Sequence, residues 1–131
     1  MPSIFSKIIK GELPAYKIAE DERFLAFLDI FPLAKGHALI IPKKETNYIF
    51  DLDSKEFMAL WRFAQLVAKA MEKVIACERI GIAVIGLEVP HAHIHLVPLT
   101  KGVNNINFEK PKLKFTQQEF EEIAQKIRRE V

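Results

Sequence analysis

Hydrophobic and polar positions change their spacing several times along the 131-residue chain. Apolar residues at helical spacing after Asp53 predict a long helix over 53–77, and a similar stripe after Thr116 predicts a C-terminal helix. Asp53 and Thr116 are predicted to cap these helices, since a glutamate follows each of them three residues later and makes a capping box. A short helix is predicted over 1–11. Short apolar runs between glycine, proline and polar turn residues predict strands over 15–20, 24–29, 37–41, 79–85 and 91–98.

The order of these elements is strand, strand, strand, helix, strand, strand, helix, without regular strand–helix alternation. This order predicts an α+β protein with a mainly antiparallel five-stranded sheet, a long central helix and a C-terminal helix. The length fits a single domain over 1–131. Residues 101–115 contain turn residues and few apolar ones, so we expect a surface excursion there.

Composition narrows the class of protein. Half of the residues are hydrophobic and the net charge is only +2, which excludes a disordered chain and argues against nucleic acid as the main partner. The single cysteine, Cys77, excludes an internal disulfide and favours a reducing compartment. The start of the chain does not resemble a signal peptide, and apolar runs stay shorter than a membrane span. We therefore expect a cytoplasmic protein without membrane contact.

Three of the four histidines lie in one short segment, Pro90-His91-Ala92-His93-Ile94-His95-Leu96-Val97-Pro98. Alternate side chains of a strand leave the same face, so His91, His93 and His95 are predicted on one side. Ala92, Ile94 and Leu96 are then on the other side and can pack against helices. The histidine side requires a polar ligand or water.

Three interpretations of this polar face remain open on the residues alone. Imidazoles can donate hydrogen bonds to a phosphate, and one of them can attack phosphorus. Zinc also binds histidine, but side chains about 6.5–7 Å apart along a strand allow a pair to converge on one ion more easily than all three. A chance polar face is the third interpretation, and the strict alternation argues against it.

The fourth histidine, His37, follows Gly36 at the start of another predicted strand. Together with His91-x-His93-x-His95 and the two apolar residues after it, the chain resembles the histidine triad (HIT) superfamily. The opening segment 4–14 and the segments 24–30 and 36–43 are also similar to that family. The resemblance covers about 4–98, leaves 101–131 as a C-terminal extension, and is nearest to the small bacterial-type branch of hint-like proteins.

The resemblance implies a homodimeric hydrolase or transferase that cleaves a bond at a nucleoside α-phosphate. By the family pattern His93 is the nucleophile and forms a nucleotidyl-histidine, with His91 supporting the constellation. His95 and His37 donate to phosphate oxygens. Asp29 accepts from the ribose hydroxyls, and the purine lies against apolar side chains, namely Ile18, Phe27, Leu28 and Ile30. The implied ligand is a purine mononucleotide or nucleotide conjugate, and the mechanism needs no metal or other cofactor.

The segment before the triad departs from the family pattern. Leu87 stands where the family usually has glutamine, and Glu88 where serine is common. In the family these two positions commonly contact the phosphate or the leaving group, so their replacement can reduce turnover. The alternative function is therefore a nucleotide-binding module with little turnover. A carboxylate beside a phosphate would repel it, so we expect Glu88 to point out of the pocket. Expected substrates are phosphoramidates, adenylated amines or dinucleoside polyphosphates.

Overall fold

A computed structural model describes residues 2–131 of the chain. Its elements are α1 (Ile4–Ile9), β1 (Lys17–Glu20), β2 (Phe24–Leu28), β3 (Ala38–Pro42), α2 (Ser54–Val74), β4 (Arg79–Ala83), β5 (Ile94–Leu99) and α3 (Gln117–Arg128), with a single 3₁₀ turn at Ile49–Asp51. The short helix, the five strands and the two long helices were all predicted. Met1, where the first predicted helix began, lies outside the described residues.

The five strands form one antiparallel sheet in the order β1-β2-β3-β5-β4. This confirms the predicted α+β class and the five-stranded antiparallel sheet. The helices begin where side chains satisfy free backbone N–H groups: Asp53 accepts from Glu56 N–H at the start of α2, and Thr116 forms a full capping box with Glu119 at the start of α3.

The two faces of the sheet pack against different helices. One face forms the main core with α2 and α3, through residues such as Ile40, Ile94 and Leu96. The opposite face packs against α1 through a smaller cluster, comprising Phe5, Ile8, Leu25, Phe27, Leu39 and Ile41. This smaller cluster covers only part of that face, and the rest is open beside α1.

The triad segment differs from its prediction at one end. Strand β5 begins at Ile94, so His91 and His93 precede the strand instead of lying within it. The chain turns there because His91 N–H donates to the Val89 carbonyl and Ala92 N–H donates to the Thr46 carbonyl. Of the three histidines, only His95 pairs in the sheet, opposite Leu39 and Ala83.

Gly36 fixes the entry of the chain into β3. Its φ of +88° lies in the left-handed region, and an added Cβ would lie 3.0 Å from a side-chain atom of Ile75. Glycine therefore allows both the turn and the close approach of this backbone to the core. The result is that His37 is fully buried directly before β3.

Among residues 2–131, no helix is both long enough and apolar enough to cross a membrane.

Candidate functional site

A cavity of about 530 Å³ opens on the sheet face that carries α1. This volume lies in the usual range of small-molecule sites, about 300–1,000 Å³. Its floor is formed by Phe27, Leu39 and His95, which lie opposite one another on β2, β3 and β5. His93 lies beside His95, with ring centroids 5.0 Å apart. The cavity thus combines apolar walls with two imidazoles and the carboxylate of Asp29.

The His93 ring is oriented by its own backbone. Its Nδ1 lies 2.8 Å from the carbonyl oxygen of His91, and because a carbonyl can only accept, Nδ1 carries the hydrogen. In the neutral ring the lone pair is therefore on Nε2. Phe5 of α1 supports this orientation by packing edge-to-face on the His93 ring, with centroids 5.1 Å apart.

His91 lies behind His93 and is fully buried. Its Nε2 donates to the Pro42 carbonyl over 2.8 Å, so its Nδ1 is an acceptor and lies 2.8 Å from the Ser3 hydroxyl. Burial lowers the pKa of His91, which favours this neutral form. The ring therefore joins the start of α1 to the end of β3 and holds the carbonyl that orients His93.

The Ser3 hydroxyl belongs to a network that ends on a carboxylate. Ser3 accepts from Ser6 N–H and caps α1, while the Ser6 hydroxyl donates to Glu45 over 2.8 Å. The backbone N–H of Ser3 also donates to Glu45, and this bond together with that from the Ser6 hydroxyl lowers the pKa of Glu45 to about 2, so the carboxylate stays ionised. The network fastens α1, and hence Phe5, against the histidines.

A second chain of hydrogen bonds sets the tautomer of His95. Leu33 N–H donates to His37 Nδ1 over 3.0 Å, so in the neutral ring His37 carries its hydrogen on Nε2. That nitrogen lies 3.0 Å from His95 Nδ1 and donates to it. His95 consequently carries its own hydrogen on Nε2. Burial lowers the pKa of His37 to about 3 and that of His95 to about 4, so both rings are neutral donors at neutral pH.

Asp29 follows β2 directly and lines the cavity. One carboxylate oxygen accepts from Phe31 N–H over 2.9 Å, and the other lies 3.6 Å from His37 Nε2. Burial raises the pKa of this carboxyl group. Asp29, His37 and His95 each offer a ligand atom within 4.8 Å of the others, so within residues 2–131 this is the group that could hold a metal ion. The two imidazole nitrogens in this group are already joined by the hydrogen bond described above.

Comparison with known proteins agrees with this arrangement. A family model described as the HIT domain matches residues 10–102, which is more than half of the chain. This chain belongs to the HIT family. The adenosine 5'-monophosphoramidase of Schizosaccharomyces pombe is 33% identical over 134 residues, covering 98% of this chain and 100% of that protein.

Solved structures of HIT proteins have the same fold. A Hit-like protein from Bartonella henselae, described as involved in cell-cycle regulation, is 31% identical with a TM-score of 0.88, covering 98% of this chain and 96% of that one. A zinc-bound histidine triad family protein from Mycobacterium smegmatis is 30% identical with a TM-score of 0.79, covering 96% and 90%.

Apart from Ile18, the residues expected at the site of this HIT protein divide into two groups. His93, His95, Asp29, Phe27, Leu28 and Ile30 line the cavity. The Leu28 side chain nevertheless packs mainly in the core of α2 and α3. His91 and His37 are buried behind the cavity wall, and they contact it through the His91 carbonyl and through His95. His37 therefore orients His95 through a hydrogen bond and is not itself among the residues that line the cavity.

The structure does not place Ile18 where it could contact a purine, although the sequence had led us to expect this. Its side chain is fully buried in the main core and is not among the residues that line the cavity. The apolar wall comes instead from α1, through Ile4, Phe5 and Ile8. The spacing of Phe5 and Ile8, three residues apart on a helix, is the signal that would have indicated this face.

Two other expectations concern the rim and the C-terminal extension. Leu87, whose side chain is 88% exposed, and the exposed Glu88 both contribute to the lining, so they lie on the open side of the cavity. The segment 101–115 is not merely a surface excursion. It brings Phe108 and Lys112 into the cavity lining, and the Phe108 ring lies 4.7 Å from that of His95.

Proposed function

We propose that this HIT protein is a purine nucleotidyl hydrolase or transferase that acts through a covalent nucleotidyl-histidine on His93. One observation carries the proposal: the hydrogen bond from His93 Nδ1 to the His91 carbonyl leaves the Nε2 lone pair for an attack on phosphorus. The relationship to a protein named adenosine 5'-monophosphoramidase supports adenosine phosphoramidates as the first substrates to test.

In the proposed reaction, His93 Nε2 forms a bond to the α-phosphorus while the bond from phosphorus to the leaving group breaks. Water then attacks the same phosphorus, which releases AMP and the free imidazole; another acceptor in place of water makes the reaction a transfer. His95 Nε2–H donates to a phosphate oxygen and stabilises the charge that develops there. Metal ions and other cofactors have no part in these steps.

The nucleoside is proposed to lie between α1 and β2. The apolar side chains of Phe5, Ile8 and Phe27 suit the two faces of a purine, since aromatic and aliphatic groups bury such rings well. Asp29 accepts from the ribose hydroxyls, because a carboxylate can accept from two donors at once. Asp29 is buried beside these apolar groups, and burial raises the pKa of its carboxyl group. A neutral sugar that donates hydrogen bonds is therefore a suitable neighbour for it.

The test is incubation of the purified protein with adenosine 5'-phosphoramidate, followed by chromatographic detection of AMP. Wild-type protein is expected to release AMP, and His93→Ala is expected to release none while binding AMP within about tenfold of wild type, or ~1.4 kcal/mol. Equal turnover by the two proteins would refute the role of His93. Replacing adenosine by a pyrimidine nucleoside tests the purine preference, and diadenosine polyphosphates test the second substrate class.

The exposed Leu87 favours one alternative, a nucleotide-binding module with little turnover. A leucine offers no hydrogen bond to a leaving group at the open side of the cavity. Tight AMP binding without AMP release from any of these substrates would support this alternative.

We further propose that the protein works as a cytoplasmic homodimer, in which a second copy covers the outer surface of α2 and β4. Strand β4 is an edge of the sheet, and Ile82 on it is 53% exposed. The buried indole nitrogen of Trp61 has no hydrogen-bond partner among the described residues.

Light scattering after size exclusion should give twice the chain mass of 15.0 kDa. A species of single-chain mass at high micromolar concentration would contradict the dimer.

A further inference from the structure

The cavity has little positive charge for a ligand that carries phosphate. Its charged lining within residues 2–131 consists of two carboxylates, Asp29 and Glu88, and one ammonium group, that of Lys112. The buried imidazoles of His95 and His37 are neutral at neutral pH, because burial lowers their pKa. Lys112 is thus the one lysine or arginine in the described lining, and its positive charge can neutralise part of the negative charge of a phosphate.

Lys112 is held in place by contacts of the C-terminal extension. Leu113 N–H donates to the Pro32 carbonyl over 2.9 Å, in the loop that follows Asp29. Phe108 packs against His95 and, with ring centroids 6.4 Å apart, against His37. The segment 101–115 is therefore fixed both to the buried histidines and to the loop that follows Asp29.

The ammonium group of Lys112 is partly committed to its own segment. It donates to the carbonyl of Phe108 and, over 3.0 Å, to that of Lys110. An ammonium group has three N–H donors, so one remains for a ligand after these two bonds. Lys112 is also half-buried, where solvent screens a charge less than at an open surface. Its charge is close enough to act on two neighbouring groups: it opposes the rise that burial causes in the pKa of Asp29, and it adds to the lowering that burial causes in the pKa of His37.

We propose that Lys112 binds the anionic phosphate group of the nucleotide, and that segment 101–115 thereby completes the site. This inference rests on the proposed function, since it assigns a further residue to the same nucleotide. It also explains how the site can bind phosphate although Leu87 and Glu88 occupy the positions where the family usually has side chains that contact phosphate. A fixed cation replaces hydrogen-bond donors that the segment before the triad does not supply.

The test compares AMP with adenosine, which differ by the phosphate group. Dissociation constants are measured by calorimetry for wild type, Lys112→Gln and Lys110→Gln. A charge-assisted hydrogen bond contributes enough that Lys112→Gln should weaken AMP binding about tenfold to a hundredfold. Adenosine binding should change less than about twofold. Lys110→Gln removes an exposed charge from the same segment but keeps its backbone carbonyl, so it should leave both ligands unchanged.

Lys112→Arg is the second variant, because it keeps the charge and should recover most of the AMP affinity. Equal weakening of AMP and adenosine in Lys112→Gln would overturn the inference, since Lys112 would then only shape the cavity. Unchanged AMP binding in that variant would also overturn it, while normal binding and turnover by wild type would leave the proposed function intact. Wild-type protein that binds neither ligand would contradict the proposed function itself, and this inference with it.

Discussion

The Nδ1 atom of His93 lies 2.8 Å from the carbonyl oxygen of His91, only two residues earlier in the chain. The acceptor is held in place because the ring of His91 is hydrogen-bonded to the Pro42 carbonyl and to Ser3, and the donor ring of His93 is packed against Phe5 of α1. The orientation of His93 therefore depends on the contact between α1 and β3, and not on its immediate neighbours alone.

The hydrogen bonds predict a distinctive set of tautomers. His37, His91 and His95 should each carry the hydrogen on Nε2, and His93 should carry it on Nδ1, because of the donors and acceptors that their nitrogens face. Long-range ¹H–¹⁵N correlation spectra near neutral pH distinguish the two forms. Three rings of one kind and one of the other is the expected pattern. His93 in the Nε2–H form would contradict the orientation described here.

Lowering the pH should destabilise the fold already at pH values above those at which carboxylates titrate. An imidazole in the unfolded chain titrates near pH 6.5, whereas the pKa values of folded His37 and His95 are about 3 and about 4. As the pH falls below about 6.5, the unfolded chain takes up protons that the folded protein does not bind. The free energy of unfolding should therefore be highest above about pH 7. It should fall by up to about 1.4 kcal/mol per pH unit for each of these histidines as the pH approaches 4.

Urea unfolding at about pH 7.5, 6.5 and 5.5 measures this dependence. A His37→Gln variant removes one of the titrating groups, so its stability should be lower at neutral pH but should decline less steeply with acid. Stability that does not change between about pH 7.5 and 5.5 would contradict the assignment of neutral, buried histidines.

Ser3→Ala should affect both stability and turnover. It leaves the buried Nδ1 of His91 without its partner, at a cost of about 1–3 kcal/mol, and removes the cap of α1, at a cost of about 1 kcal/mol. Turnover should fall because the His91 carbonyl is held less firmly. Thermal unfolding and AMP release are the two measurements.

Thr116→Ala is the matched control for Ser3→Ala. Thr116 caps α3 in the same way, but its capping bonds join it to Glu119 and to no histidine. It should lose about 1 kcal/mol of stability and keep its turnover. The network would have no role in positioning His93 if both variants kept full turnover.

Removal of metal should leave the proposed reaction unchanged. Asp29, His37 and His95 could together contribute three ligands, but the proposed steps use His37 and His95 as hydrogen-bond donors. Treatment with EDTA and desalting should therefore not alter AMP release, and elemental analysis should find much less than one metal ion per chain. One zinc per chain, with activity lost to the chelator and restored by zinc, would favour a metal site on these residues.

The sequence predicted the elements better than their contacts. The caps at Asp53 and Thr116 and the helical stripes after them are local signals, and both helices begin directly after those residues. The alternation of the triad predicted one strand face, yet the strand begins only at Ile94. Alternation cannot reveal where backbone pairing starts, and here hydrogen bonds to Val89 and Thr46 replace the pairing.

The site residues that the sequence did not reveal depend on long-range packing. Phe108 and Lys112 lie in a segment without periodic spacing, and only the folded chain brings them to His95. Ile18 gave the opposite error: a strand residue near the family's nucleotide-binding segment faces the core because of its side of the sheet. Which face a short strand turns to a ligand is decided by the helices that cover the other one.

The proposal that His93 becomes covalently bonded to a nucleotide is tested most directly by mass spectrometry of a rapidly quenched reaction. Protein mixed with adenosine 5'-phosphoramidate should gain one adenylyl group, and peptide mapping should locate it on His93. His93→Ala should gain none. AMP release by wild type with no adduct under any quench condition, or an adduct on another residue, would contradict the covalent mechanism.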